Sequence, residues 1–327
     1  MTTQAKAIVI TEQGAPSVLK LESVELPDPG VGEVLIRQTA IGVNFMDVYQ
    51  RSGAYPLELP SGIGLEAAGV IKAVGAGVSN LKPGDRVAYG GGAPGAYADH
   101  RILPAARVVT VPDGVSDEDA AAVMMKGMTA EYLLNRAYKV KSGEWALFHA
   151  AAGGVGLLAG QWGKELGARM IGIAGGPEKC QLALDHGYEV CIDRKSEDVV
   201  ARVKELTGGK GVPVVYDSIG KDTFEQTLDC LAPKGYFIAF GTTSGPQPPM
   251  EAKTLQMRGS LYYSRPTMVD YCIQRDDLVY SAGEVFKMVA AGKLRIEILQ
   301  RYPLADVVKA HEDLEAAKTK GSTLLLP

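Results

Sequence analysis

Apolar and polar positions change period twice along this chain. In the first third, apolar residues fall in short, β-branched runs at 5–10, 32–43, 67–75, 85–90 and 107–111. Turn-forming clusters separate them: Pro27-Asp28-Pro29-Gly30, Lys82-Pro83-Gly84-Asp85 and Gly90-Gly91-Gly92. Such runs read as strands, and with no long helix between them they predict a compact, mostly antiparallel or barrel-like domain. Near residue 117 the period becomes helical. Residues 116–138 open with a Ser/Asp cap and an acidic first turn, then place apolar residues at helical spacing. A regular alternation follows. Strands at 145–150, 169–175, 189–193, 212–218 and 236–241 are separated by helices at 157–166, 177–186, 196–207 and 222–231. Strands alternating with helices imply right-handed βαβ units and a parallel sheet. The run 259–264 is expected to be a sixth strand, giving a full dinucleotide-binding sheet. Beyond Arg265 come two helical stretches, 278–291 and 304–317, and a strand-like end. Since the six-strand sheet is then complete, this tail is expected to pack back on the first domain.

Composition refines this picture only modestly. At 327 residues the chain exceeds one ordinary core, so two domains are the default. Thirty-nine glycines suit many tight strand-to-helix turns. A formal net charge of −4 offers no electrostatic footprint for nucleic acid or an anionic membrane. The N-terminus lacks a long apolar region of the signal-peptide kind, and no apolar run reaches membrane-helix length, so a cytoplasmic location is expected. Cys180, Cys191, Cys230 and Cys272 form no CxxC pair and read as scattered thiols in a reduced compartment.

The first candidate chemistry lies after the strand at 145–150. Ala151-Ala152-Gly153-Gly154-Val155-Gly156 stands where a dinucleotide fingerprint would, between a strand and a helix. Ala151 takes the first glycine position, and Gly153 and Gly156 the second and third. Gly153 would let backbone approach a pyrophosphate, and Gly156 would let helix pack closely on strand. The helix N-terminus would add N–H donors and a positive dipole end. Ala152, Gly154 and Val155 complete the expected contact set. An NAD site normally carries Asp or Glu at the end of the next strand to bind the ribose 2′-hydroxyl. Here that strand runs into Ala174-Gly175-Gly176, with no acid, and Lys179 follows in the next helix. A 2′-phosphate would be attracted by that cation. Arg194, after the third strand, is a second candidate, although Glu178 complicates the picture. The plain alternative for either cation is an exposed surface charge. NADPH is therefore the expected cofactor. Ser218, Phe240 and Gly241 stand at or just after strand C-termini, the side where open α/β sheets bind ligands.

Five segments in order carry a family resemblance: Asn44-Phe45-Met46-Asp47, Arg51-Ser52-Gly53-Ala54-Tyr55-Pro56, Gly64-Leu65-Glu66-Ala67-Ala68-Gly69, Lys82-Pro83-Gly84-Asp85-Arg86-Val87 and the run from His149 to Gly156. Together they resemble the zinc-independent quinone oxidoreductases (zeta-crystallin-like) of the medium-chain dehydrogenase/reductase superfamily, over essentially the whole chain. The resemblance implies a GroES-like β-rich catalytic domain at 1–125, a Rossmann NADPH-binding domain with a doubly wound parallel sheet at 126–264, and a C-terminal return at 265–327 completing the first domain. It also implies at least a homodimer, for which the 259–264 strand is a possible sheet-edge contact. Zinc alcohol dehydrogenases of the superfamily carry a Cys near the position of Asn44 and a His at that of Leu65. Residues 1–179 here contain no Cys, so neither a catalytic nor a structural zinc is expected. Without such a Lewis acid, reduction of an already electrophilic acceptor is a better expectation than alcohol oxidation.

A quinone needs little activation beyond alignment and donors near its oxygen. The resemblance implies pocket roles for Asn44, Tyr49, Tyr55 and Arg265. Tyr49 is the expected hydrogen-bond donor or proton relay, Tyr55 lies near the nicotinamide, and Arg265 stabilises the oxyanion or a cofactor phosphate. Thr129 matches a position that contacts the nicotinamide amide. Ordinary alternatives are amphipathic tyrosines at a domain boundary and a structural Arg ion pair. Arg194 departs from the Tyr that relatives often place there. Asp47 and Arg51 read as an intradomain pair, and His149 as a satisfied core histidine. The nearest rival activity is NADPH-dependent reduction of alkenal or enone double bonds. A rival of another class is an NADPH-binding, crystallin-like structural protein.

Overall fold

The computed structural model describes residues 2–327, which divide into two compact units. One unit holds the residues up to Met128 with Tyr271–Gly292 and Ile296–Pro327; the other holds Thr129–Asp270 with Lys293–Arg295.

The first unit opens with strands β1 (Thr3–Ile10), β2 (Lys20–Leu26) and β3 (Glu33–Val43). Helix α1 (Phe45–Ser52) follows, then β4 (Ser61–Gly62), β5 (Glu66–Val74), β6 (Arg86–Gly90), β7 (His100–Pro104), β8 (Val109–Thr110) and the start of α2 (Asp117–Tyr132). Helix α1 is absent from the strand pattern of the sequence because it spans only eight residues, half of them polar. Its ends nevertheless carry clear signals. Asn44 is the N-cap, its amide N–H donating to the Asp47 carboxylate at 2.8 Å, and Gly53 ends the helix in the left-handed conformation at φ 91°. In α2 the expected cap is present, the Asp119 N–H donating to Ser116 Oγ at 3.0 Å. The helix stops at Tyr132, and the expected continuation to 138 is instead a π-helical turn, Leu133–Ala137.

The second unit alternates without exception: β9 (Trp145–His149), α3 (Gly154–Glu165), β10 (Arg169–Ala174), α4 (Pro177–Leu184), β11 (Val190–Asp193), α5 (Val199–Leu206), β12 (Val212–Asp217), α6 (Phe224–Cys230), β13 (Leu231–Ala239), α7 (Ala252–Met257) and β14 (Tyr262–Ser264). The strand order is β11-β10-β9-β12-β13-β14, with every pairing parallel. This is the doubly wound dinucleotide-binding order, with its switch point between β9 and β12. Ile171, Val215 and Phe237 fill one face of the sheet with residues of α5 and α6. The sixth strand is shorter than expected: Gly259 and Ser260 turn the chain at positive φ before extension begins at Tyr262.

Beyond the sheet come α8 (Met268–Tyr271), α9 (Arg275–Ala290), β15 (Ile298–Pro303), α10 (Val307–Glu315) and β16 (Ser322–Leu326). Strand β16 pairs antiparallel with β3, and β15 extends that edge. The first unit thus holds a seven-stranded sheet, β15-β16-β3-β5-β6-β8 with β7 also on β3, and a small sheet of β2, β1 and β4. Its core gathers Ile8, Ile36, Ile41, Ile71, Val87 and Leu325.

Candidate active site

Parallel strands aim their C-terminal ends at one edge of the sheet, and most of the expected cofactor residues stand there. The glycine turn follows β9, Gly175 follows β10, Arg194 follows β11, Ser218 follows β12, Phe240 and Gly241 follow β13, and Arg265 follows β14. Thr129 comes from a helix rather than a strand end, half-buried in α2. Gly153 is the N-cap of α3, and Gly154, Val155 and Gly156 form its first turn beside buried Ala152. A Cβ on Gly156 would press into the Ala150 carbonyl oxygen and come 2.6 Å from that of Ala151, both rigid backbone. Only glycine permits this seating of α3 on the β9 turn, and Tyr188 Oη locks it by donating to the Gly156 carbonyl at 2.7 Å. Gly241 packs as tightly, its absent Cβ lying 2.6 Å from the Ser218 carbonyl oxygen. The Phe240 ring packs on Phe148 at 5.5 Å between centroids, and Arg265 Nη1 donates to the Pro266 carbonyl at 3.3 Å.

The side-chain atoms nearest to Gly175 belong to cations. From its Cβ position, Arg194 Nε lies 3.4 Å away and Lys195 Cε 3.6 Å; from that of Gly176, Lys195 Nζ lies 3.9 Å away. Lys179 is on the first turn of α4. Lys195 is the residue that sequence reasoning missed, and its position two residues after β11, next to Arg194, was the available signal. Asp193 organises the loop: its carboxylate accepts from the Gly176 and Lys195 amides at 2.8 and 3.0 Å, and these amides hold its carboxyl below the usual range.

His149 is tied into a buried network at the switch point. Its Nε2 lies 3.0 Å from Thr227 Oγ1, which donates to Asp217 at 2.9 Å. Asp217 also accepts from the Thr223 hydroxyl and the Ile219 amide. Burial holds the imidazole below its ordinary value, so His149 is a neutral bracket between strand ends.

In the first unit, α1 carries the expected substrate residues. Half-buried Tyr49 and Tyr55 pack with ring centroids 5.5 Å apart, and the Tyr55 N–H donates to the Tyr49 carbonyl at 3.0 Å. Asn44 is engaged at its base: Nδ2 donates to Glu66 at 2.8 Å. Glu66, fully buried, also accepts from the Met125 amide at 2.6 Å and from Lys126 Nζ at 2.9 Å. Gly42 faces this carboxylate across β3 and β5, where any Cβ would collide with it. The buried Glu66–Lys126 pair escaped sequence reasoning, although Glu66 lies in a quoted motif.

Asp47 and Arg51, expected to pair with each other, bond elsewhere. Arg51 forms a bidentate pair with Glu315 on α10 at 2.8 and 2.9 Å. Asp47 accepts from the Tyr97 hydroxyl at 2.8 Å, and Tyr97 Oη lies 3.1 Å from His311 Nε2. The spacing of four residues on α1 allowed a pair, but two partners that sequence could not place, Tyr97 in the loop before β7 and Glu315 on α10, take the groups instead. Burial raises the Asp47 carboxyl to about 7 and lowers the His311 imidazole to about 3.

Two family models match the chain: the alcohol dehydrogenase GroES-like domain over residues 30–113 and the zinc-binding dehydrogenase over 154–275. A quinone oxidoreductase of Pseudomonas aeruginosa is 49% identical, over 99% of this chain and all of the relative. This chain belongs to the quinone oxidoreductase family. It lies within the medium-chain dehydrogenase/reductase superfamily, of which both models are parts. The crystal structure of Escherichia coli quinone oxidoreductase complexed with NADPH superposes with a TM-score of 0.97 at 45% identity, covering 98% of this chain and all of that one. A 2-haloacrylate reductase of Burkholderia is 41% identical over 98% of each chain. Among the described residues no group of three or more His, Cys, Asp or Glu side chains is placed to hold a metal ion.

Proposed function

We propose that this protein reduces quinones with NADPH. The observation that carries the reading is the end of β10, where Gly175 and Gly176 lie against Arg194 and Lys195 with Lys179 on the next helix. Three cations suit a ribose 2′-phosphate, the Asp193 carboxylate beside them being taken up by the Gly176 and Lys195 amides, and the cradle that a Cβ on Gly156 would fill suits a pyrophosphate. The family relative with bound NADPH supports the same choice. Bound NADPH supplies a hydride to the acceptor. The residues of this chain do the rest. Gly153–Gly156 backbone amides hold the pyrophosphate, Lys179, Arg194 and Lys195 hold the 2′-phosphate, and Thr129, Ser218, Phe240 and Gly241 bound the nicotinamide half. Tyr49 donates a hydrogen bond, and then a proton, to the acceptor oxygen as negative charge develops there. Tyr55 backs the Tyr49 ring, Asn44 fixes the start of the helix that carries Tyr49, and Arg265 offers a positive charge to the oxyanion or a phosphate. The product is a hydroquinone and no metal takes part. The protein works in the cytoplasm as a homodimer joined through the β14 edge, where Tyr262 is exposed.

Oxidation of NADPH, with NADH in parallel, across a panel of quinones and enones tests this. Rapid NADPH-selective turnover of quinones is expected. Turnover of enones alone would favour the second reading, reduction of an electron-poor carbon–carbon double bond, which the similarity to a 2-haloacrylate reductase supports. NADPH binding without any turnover would overturn both.

A further inference from the structure

Two of the four thiols are in contact. Cys180 on α4 and Cys191 on β11 are neighbours in one small packing cluster. They pack beside Ala152 of the glycine turn and Ala174 at the end of β10. Each thiol shares its element or the turn after it with a cation of the 2′-phosphate cradle: Lys179 precedes Cys180 on α4, and Arg194 comes three residues after Cys191, just past β11. We infer that Cys180 and Cys191 form an oxidisable dithiol whose closure to a disulfide weakens NADPH binding. The inference rests on the cofactor reading above.

The step balances with a hydroperoxide as oxidant. The Cys180 sulfur attacks the peroxide oxygen, the O–O bond breaks, and a sulfenic acid and an alcohol (or water) result. The Cys191 sulfur then displaces water, forming the S–S bond. The dithiol loses two electrons and two protons, and the peroxide is reduced. Cys180 is the first nucleophile: burial pushes its thiol up, but the neighbouring Cys191 thiol draws it back, whereas Cys180 pushes the Cys191 thiol up further. Burial and the carboxylates of Asp193 and Glu197 push both thiols up, so little thiolate exists near neutrality. The reaction is therefore slow at pH 7 and accelerates as pH rises. Closing the packed thiol pair to about 2.05 Å draws α4 against β11. The cations on both sides of Gly175 then shift relative to one another, and the 2′-phosphate loses the cradle that the open form provides.

The test treats full-length protein with hydrogen peroxide at pH 8.5. The disulfide is mapped by mass spectrometry of unreduced peptides, and NADPH and NADH are titrated by fluorescence. Expected are a linked Cys180–Cys191 peptide and a dissociation constant for NADPH about tenfold weaker, equal to about 1.4 kcal/mol. NADH binding should change little, and reductant should restore the original value. Cys191→Ser and Cys180→Ser proteins should show neither effect. Sulfinic acid without linkage, a link to Cys230 or Cys272, or a linked peptide with unchanged NADPH affinity would overturn the inference. Should reduced protein fail to bind NADPH at all, the cofactor reading falls and the regulatory half falls with it, whereas the linked peptide still reports on the dithiol.

Discussion

Asp47 and His311, joined through the Tyr97 hydroxyl, should hold stability nearly constant over a pH range in which either group alone would change it. The Asp47 carboxyl rises from 3.8 to about 7 on folding, so the native state binds this proton more tightly than the unfolded chain does. Its contribution is greatest below pH 3.8 and is lost as pH rises to about 7. About three pH units at about 1.4 kcal/mol each come to about 4 kcal/mol. His311 falls from 6.5 to about 3, the opposite case. Its contribution is complete above pH 6.5 and is lost as pH falls toward 3, by about 5 kcal/mol on the same conversion. Between pH 4 and 6.5 the unfolded chain carries one proton on the histidine and the native protein one on the aspartate, so the two slopes cancel. Lys126, Glu66, Arg51 and Glu315 are the other charged groups around the pair, and their partners are not altered by the substitutions that separate the two slopes. Asp47→Asn keeps an acceptor for the Tyr97 hydroxyl but removes the proton site. It should be more stable than the parent at pH 8, and that advantage should shrink by about 1.4 kcal/mol per pH unit below 6.5. His311→Gln should show the mirror image, gaining on the parent as pH falls. Urea unfolding followed by far-UV circular dichroism is the assay, because Trp145 and Trp162 both lie in the second unit and report on that unit. Parallel pH profiles for Asp47→Asn and the parent would refute the reasoning, since Asp47 would then be ionised in the native protein.

Other substitutions probe the remaining features. Lys126→Met leaves the Glu66 carboxylate fully buried with only Asn44 Nδ2 and the Met125 amide as donors, at a cost of about 3 kcal/mol; Glu66→Gln added to it should recover much of that, and a single-variant loss under about 1 kcal/mol would disprove the strength of the pair. Gly156→Ala should destabilise the second unit by about 1–3 kcal/mol in tryptophan-monitored unfolding and weaken NADPH binding, because the new methyl meets backbone carbonyls that cannot move aside; unchanged binding would mean that α3 is not seated as described. Lys195→Asp and Lys179→Asp should each raise KM for NADPH by about tenfold or more while leaving KM for NADH nearly unchanged, and equal effects on the two cofactors would remove these lysines from the phosphate cradle.

The parts of this protein that were legible in its sequence are those specified locally. Alternation of strand and helix from Trp145 onward dictates a parallel sheet, and the observed order β11-β10-β9-β12-β13-β14 is the one such units form around a phosphate-binding turn. Gly156 was legible for the same reason, since its constraint comes from carbonyls five and six residues earlier. Strand β15 and helix α1 escaped because one is exposed at every second position and the other spans two turns, too short for a period to stand out. The buried polar groups escaped for a deeper reason. Glu66 can be buried because Gly42 on the facing strand leaves room and Lys126, sixty residues later, neutralises it. Asp47 meets Tyr97 and, through it, His311 near the other end of the chain. Glu66 and Asp47 each look like an ordinary surface charge when read alone; the register of β3 with β5 sets Gly42 opposite Glu66, and α2, α10 and the loop before β7 supply the partners Lys126, His311 and Tyr97. The same dependence explains the misassigned Asp47–Arg51 pair: helical spacing states which groups could meet, whereas a buried charge goes to whichever partner the tertiary fold desolvates along with it. Lys195 is the intermediate case. Its place after β11 is local, but its approach to Gly176 depends on Asp193 drawing two strand-end loops together through their amides.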